Sequence, residues 1–185
     1  AASGDLFLEM VGRAFISAPT VMVRTDLLQA AGPYDETLVA EDYDMFLRLS
    51  RSAEWAYLSE PLVNYRVLDT SLSRSKEFGD RQRKGRIAML RKHVGVSREA
   101  DRVIARRTAR MAISLYQEGR SPSDTAADLR FVLGIERSAR AVLYWVLATV
   151  RVPGPAIVRL AHRVGRSGPP RPSPAEPSAP VEKAP

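Results

Sequence analysis

The stretch Glu41-Asp42-Tyr43-Asp44-Met45-Phe46-Leu47-Arg48-Leu49 places three carboxylates directly before an apolar run. The side chains of Met45, Phe46 and Leu49 recur at helical spacing, so the run predicts a buried helix that ends near Ser52. Acids in the first turn of a helix are stabilised in the ionised form by the helix dipole and by free backbone N–H groups. The acidic side chains of this stretch therefore lie next to the predicted core.

Structural explanations of these acids compete with a functional one. First-turn acids are ordinary helix caps, and Asp44 and Arg48 have the i,i+4 order that forms ion pairs on helices. A metal site built from Glu41, Asp42 and Asp44 is not expected, because these positions do not converge on one ion and no glycine-centred calcium loop is present. A carboxylate fixed within hydrogen-bond reach of a hydroxyl can still act as a general base.

Segments of strand-like composition lie on both sides of the acidic stretch. Residues 15–24 are rich in β-branched and apolar side chains and predict a buried strand that is interrupted at Pro19. Residues 26–31 predict a short helix, and residues 56–67 predict two extended segments that are divided at Pro61. The first part of the chain therefore predicts strands around the helix that carries the acids.

The composition limits the chemistry that is available. The 185 residues are 45% hydrophobic, which is enough for a sizeable core, and they include no cysteine and two histidines. Disulfides, thiolate metal sites, cysteine nucleophiles and clustered imidazole sites are therefore excluded. Acid–base chemistry must fall to carboxylates.

The charge is divided along the chain. Residues 1–73 contain 5 Lys and Arg against 11 Asp and Glu, and the remainder contains 23 against 10. Solvated helix faces and an anionic partner explain this basic part equally well. We predict helices from 74 to 166, including a basic amphipathic helix after Pro155, and a disordered proline-rich tail over 167–185.

Four ordered motifs resemble the acceptor-side half of the family 2 inverting glycosyltransferases. They are the strand at residues 15–24, Ala31-Gly32-Pro33-Tyr34-Asp35-Glu36, Ala40-Glu41-Asp42-Tyr43-Asp44-Met45-Phe46-Leu47-Arg48-Leu49, and Ser59-Glu60-Pro61-Leu62-Val63-Asn64-Tyr65-Arg66-Val67. The resemblance covers about residues 15–73, with looser similarity to residue 94. Four motifs in order are more specific than any one of them.

The resemblance implies an α/β fold of the GT-A type, as a partial domain over 1–73, followed by a mainly helical basic region over 74–166. It implies that Asp42 is the general base, that Glu41 helps to shape the substrate site, and that Arg66 lies near the donor phosphates. Members of the family often carry a histidine where this sequence has Leu68. A divalent cation, Mg²⁺ or Mn²⁺, is implied as cofactor, but the Asp-x-Asp motif that would supply its main ligands does not precede residue 15.

The partial domain over 1–73 and the basic region over 74–166 each predict partners. The resemblance implies a nucleotide-sugar donor and a saccharide or lipid-linked acceptor, and we expect the chain to be one piece of a longer transferase that is inactive alone. The alternative is a non-catalytic basic helical module that binds nucleic acid or another acidic partner, although aromatic interleaving and zinc ligands are missing. Residues 141–166 predict either docking on an anionic membrane or packing on the domain's own core. We expect a cytoplasmic location, with the inner face of the membrane as the place of any such docking.

Overall fold

The computed structural model describes residues 3–64, 66, 68 and 76–163. These residues form helices joined by segments without regular secondary structure, together with one 3₁₀ turn at Ala18–Thr20. The helices are α1 (Phe7–Gly12), α2 (Thr25–Ala31), α3 (Glu41–Leu49), α4 (Lys76–Arg91), α5 (Arg98–Gln117), α6 (Pro122–Ile135), α7 (Ala139–Thr149) and α8 (Gly154–Arg163). The predicted tail over 167–185 lies outside the described residues.

The prediction of an α/β fold is wrong for the part of the chain that the structure describes. That part is mostly helical and contains no sheet, and its strand-like pairing is a single antiparallel bridge between Gly4 and Trp55. The partial GT-A domain predicted from the resemblance is therefore not formed by these residues.

The predicted strand over residues 15–24 forms a 3₁₀ turn at Ala18–Thr20 with extended backbone on either side of it, and it has no neighbouring strand among the described residues. Val21 has extended backbone angles, and the side chains alternate, with Val21 and Val23 half-buried and Met22 92% exposed. Pro19 lies in the 3₁₀ turn, where it has no amide proton to donate. β-Propensity favours an extended backbone, but a sheet also needs a second strand to exchange hydrogen bonds with.

Two groups of buried apolar side chains form the core. The first joins α1, α3, the end of α4 and the start of α5, and the second joins α5, α6 and α7 with Ile87 of α4. Helix α5 contributes to both groups, and α8 packs on it. The Arg107 guanidinium of α5 donates to the carbonyl oxygen of Val11 at 2.6 Å, which ties α5 to α1.

Helix α3 is held by the first of these groups. Met45, Phe46, Leu47 and Leu49 are all buried, as the helical spacing of the sequence indicates. The Tyr43 hydroxyl lies 2.6 Å from the Arg13 carbonyl oxygen and 3.0 Å from that of Met10. These contacts fix the end of the helix that carries the acids.

Buried charge also joins the later helices. Asp128 of α6 is 4% exposed and forms ion pairs with Arg91 of α4 and with Arg120, which precedes α6. Within the described ranges, no helix is both long enough and apolar enough to cross a bilayer.

Candidate functional site

The start of α3 presents two neighbouring carboxylates. Ala40 is the N-cap residue and makes no side-chain capping bond, Glu41 is exposed, and Asp42 is half-buried. One oxygen of Asp42, Oδ1, accepts the backbone N–H of Tyr43 at 2.7 Å. No cation among the described residues forms an ion pair with Glu41 or Asp42. The second oxygen of Asp42 therefore has no partner among the described residues.

Asp44 lies one turn deeper and has a different environment. Its side chain is 0% exposed and is surrounded by donors on three sides. Oδ2 is 3.0 Å from Arg48 Nε, while Oδ1 is 3.1 Å from Lys92 Nζ and 3.0 Å from His93 Nε2. A carboxylate this enclosed and this well paired cannot reach an external substrate.

The partners of Asp44 fasten α3 to its surroundings. The Arg48 guanidinium also donates to the carbonyl oxygens of Ala31, at the end of α2, and of Pro33, the latter at 2.9 Å. Two segments before α3 are thereby tied to the same buried carboxylate. The pair between Asp44 and Arg48 is the i,i+4 contact that the sequence predicted.

Lys92 extends this network to Asp35. Lys92 Nζ lies 2.7 Å from Asp35 Oδ2, and this hydrogen bond, with further bonds from Thr37, lowers the pKa of Asp35 to about 2. Burial disfavours the Lys92 ammonium, but the hydrogen bonds to Asp35 and Asp44 outweigh that effect and raise the pKa of Lys92. Asp35 and Lys92 are therefore both charged at neutral pH.

His93 is buried between Asp44 and Arg51. Arg51 Nη2 lies 2.9 Å from His93 Nδ1, and an arginine can only donate, so Nδ1 accepts. The proton of the neutral ring is consequently on Nε2, which donates to Asp44. Burial lowers the pKa of His93, and the positive charges of Arg51 and Lys92 add to this against the opposing effect of Asp44. His93 is a neutral structural group.

Arg66 does not join the two acids in the structure. Its side chain is exposed, and no hydrogen bond or ion pair links it to another described residue. Of the predicted site residues, the structure places Glu41 and Asp42 side by side at the start of α3, and it shows no contact between them and Arg66.

The sequence did not predict that Lys92 and His93 pair with Asp44, or that Asp35 pairs with Lys92. Only the Asp44–Arg48 pair had a signal, since it lies within one helix. The others are contributed by the turn before α3 and by the segment after α4, and no local spacing encodes such contacts. Nothing in the sequence around His93 indicated that its ring would contact the buried carboxylate of Asp44.

The divalent cation that the resemblance implies has no set of ligands among the described residues. Within the described ranges, no three Asp, Glu or His side chains are arranged to hold a metal ion. Cavities of about 100 and 190 Å³ lie beside Ala105 and Lys84, away from Glu41 and Asp42. We therefore derive no reaction step through a metal.

Comparison of the chain with protein-family models, with curated proteins and with solved structures gave no match.

Proposed function

We propose that this chain supplies the acceptor-side general base of an inverting glycosyltransferase, and that Asp42 is that base. The observation that carries the proposal is the division of the acidic stretch into a buried, triply paired Asp44 and an accessible Asp42 with one uncommitted oxygen. The order of the four motifs supports the choice of reaction. The proposal rests on these two features and not on the fold.

The proposed step is a single displacement. The acceptor hydroxyl oxygen forms a bond to the anomeric carbon of the donor, and the bond from that carbon to the diphosphate oxygen breaks, with inversion. The hydroxyl proton passes to Asp42 Oδ2, and the nucleoside diphosphate leaves with the bonding electrons. Because the hydroxyl becomes more acidic as the new bond forms, a carboxylate of ordinary basicity suffices if it is correctly placed.

The surroundings of Asp42 suit such a role. Its Oδ1 is held by the Tyr43 N–H, and the Tyr43 ring is buried with its hydroxyl bonded to main-chain oxygens of α1 and Arg13. Asp44 and its partners hold the helix from the inner side. A base on a fixed helix costs little reorganisation when the substrate binds.

Glu41 and Arg66 have supporting roles in this proposal. Glu41 is exposed beside Asp42 and would accept hydrogen bonds from acceptor hydroxyls. The exposed guanidinium of Arg66 would lie against the donor diphosphate and offset the charge of the leaving group. Acceptors of two kinds, saccharides and lipid-linked sugars, are compatible with this chemistry.

We also propose that the nucleotide-sugar is bound by a further part of a longer protein. Residues 56–64 are exposed throughout and carry Tyr57, Leu58, Leu62 and Val63 on the surface, and Met22 is exposed in the other extended segment. Such apolar surface is typical of an interface with another unit.

The alternative of a nucleic-acid-binding module has less support. Several arginines of the basic part are engaged in ion pairs, and they are Arg83, Arg91, Arg106 and Arg120. Paired guanidinium groups contribute less to binding of a phosphate backbone, because the ion pair must first be given up.

The test uses the whole gene product that contains this chain. Nucleoside diphosphate release from a panel of nucleotide-sugars is measured with saccharide and lipid-linked acceptors. We expect Asp42→Asn to lower transfer at least about 100-fold while nucleotide-sugar binding is kept. The matched control is Asp26→Asn, which changes a first-turn acid of α2 and should leave transfer unchanged. Wild-type transfer by Asp42→Asn, or no transfer by the whole gene product with any donor, refutes the proposal.

A further inference from the structure

One side of α7 exposes aliphatic side chains that nothing in the described chain covers. Val142, Leu143, Val146 and Val150 are 41%, 55%, 44% and 64% exposed, and we call these four residues the aliphatic stripe. At 100° per residue, positions 142, 146 and 150 advance by only about 40° at each step, and position 143 lies about 20° beyond position 150. The four side chains therefore share one face.

The opposite side of α7 accounts for its packing within the protein. Ala141 and Ala148 are buried, and the Tyr144 hydroxyl accepts a hydrogen bond from Gln117 Nε2 at 2.6 Å. This inner face supplies the contacts with α5 and α6. The aliphatic stripe is therefore a second apolar face of α7, separate from the face that packs on the core.

The charged residues in the sequence of α7, and in the segments that adjoin it between Arg137 and Arg163, are arginines. From Arg137 to Arg163 the sequence contains five arginines and no Asp or Glu. Arg137 and Arg140 lie at the start of α7 and Arg151 follows its end, and all three are exposed. None of these three forms an ion pair with a described residue, in contrast to the paired arginines of α4 and α5.

Helix α8 repeats the same combination on a smaller scale. Leu160 is 63% exposed and follows the exposed Arg159. The turn between the helices is short, with Arg151 in the left-handed region at a φ of 59°. Two consecutive helices therefore combine exposed aliphatic and cationic side chains.

We propose that the aliphatic stripe and its arginines dock on an anionic lipid membrane, with α7 lying in the plane of the interface. The aliphatic side chains would enter the boundary between headgroups and acyl chains, and Arg137, Arg140 and Arg151 would contact lipid phosphates. A nucleic acid would use the positive charge but would gain nothing from exposed valines. The docking does not depend on the proposed transferase activity.

The experiment measures binding of the full chain to vesicles by flotation. The vesicles are phosphatidylcholine alone or phosphatidylcholine with 30% phosphatidylglycerol. The stripe variant is Val142→Ser with Val146→Ser, and its matched control is Leu58→Ser with Leu62→Ser, which removes two exposed aliphatic side chains elsewhere. The charge variant is Arg140→Gln with Arg151→Gln, and its control is Arg102→Gln with Arg110→Gln on α5.

We expect the wild-type chain to bind the anionic vesicles at least about 10-fold more strongly than the neutral ones. Both the stripe variant and the charge variant should lose at least about 10-fold in binding, while both controls retain it and all variants keep the wild-type circular dichroism spectrum. Equal binding by the stripe variant and its control overturns the proposal. The proposal is also overturned if the stripe variant binds vesicles as the wild-type chain does but has half the wild-type mass in sedimentation, because a second copy of the chain then covers the stripe. Salt-dependent binding of duplex DNA by a chain that does not bind vesicles also overturns it.

Discussion

At the scale of single residues, three acids within four positions have three different roles. Asp44 is a buried charge, which is tolerated only because Arg48, Lys92 and His93 surround it. Asp42 has one oxygen, Oδ2, without a bond to a described residue, and Glu41 is exposed. Sequence spacing could assign Asp44 to an ion pair, but only the fold shows how completely it is enclosed.

The buried His93 makes stability depend on pH. Its pKa lies below the ordinary value of 6.5, so the folded protein binds this proton less readily than the unfolded chain does. The stabilisation is therefore fully present above pH 6.5 and is lost as the pH falls below it. The charged and titratable groups that face the ring are Asp44, Lys92 and Arg51.

We predict that the free energy of unfolding decreases between pH 7.5 and pH 5.5, by at most about 1.4 kcal/mol per pH unit. In His93→Gln the amide can still donate to Asp44 and accept from Arg51, so the decrease should disappear. Urea unfolding at a series of pH values measures it, and His162→Gln is the control that should keep the wild-type slope. An unchanged slope in His93→Gln would assign the pH dependence to another group.

At the scale of elements, α8 depends on a close approach to α5. A Cβ atom placed on Gly154 would lie 1.7 Å from the main-chain oxygen of Tyr116, so no side chain fits there. The Tyr116 hydroxyl donates to the Val152 carbonyl oxygen in the turn before α8. Gly154 is needed for space and not for an unusual backbone conformation.

We therefore predict that Gly154→Ala moves the start of α8 away from α5 and costs about 2 kcal/mol of unfolding free energy. Gly134→Ala on α6 is the matched control, since a Cβ there meets nothing within 4 Å and alanine favours the helix. Hydrogen exchange of the α8 amides should accelerate only in Gly154→Ala. Equal protection in both variants would show that α8 does not depend on this contact.

At the scale of the whole molecule, the sequence predicted the helices better than their arrangement. The helical spacing of Met45, Phe46 and Leu49 indicated α3, and the basic amphipathic pattern after Pro155 indicated α8. These signals are local, so a single sequence contains them.

Whether a sheet forms could not be predicted from local signals of this kind. The backbone around Val21 is extended as its composition favours, but pairing depends on residues distant in sequence. The Asp44 network likewise joins α3 to residues 92 and 93, which no spacing connects. Local preferences were predictable, whereas the contacts that turn them into a fold and a site were not.

The absence of a sheet among the described residues gives a prediction about the exposed segment 56–64. Leu58→Ser with Leu62→Ser should change the unfolding free energy by less than about 1 kcal/mol, because both side chains are already exposed. Leu47→Ala, at a fully buried position of α3, should cost about 3 kcal/mol. Chemical denaturation compares them, and a comparable loss in the double variant would mean that the segment is paired or packed in solution.

The central claim is that Asp44 holds the helix and Asp42 remains free for a ligand. Its most direct test is the unfolding free energy of Asp44→Asn and Asp42→Asn in the same chain. Asp44→Asn should lose about 3 kcal/mol, because Arg48 and Lys92 lose their buried counter-charge, and Asp42→Asn should lose less than about 1 kcal/mol. Equal losses in the two variants, or a larger loss in Asp42→Asn, would contradict this division of roles.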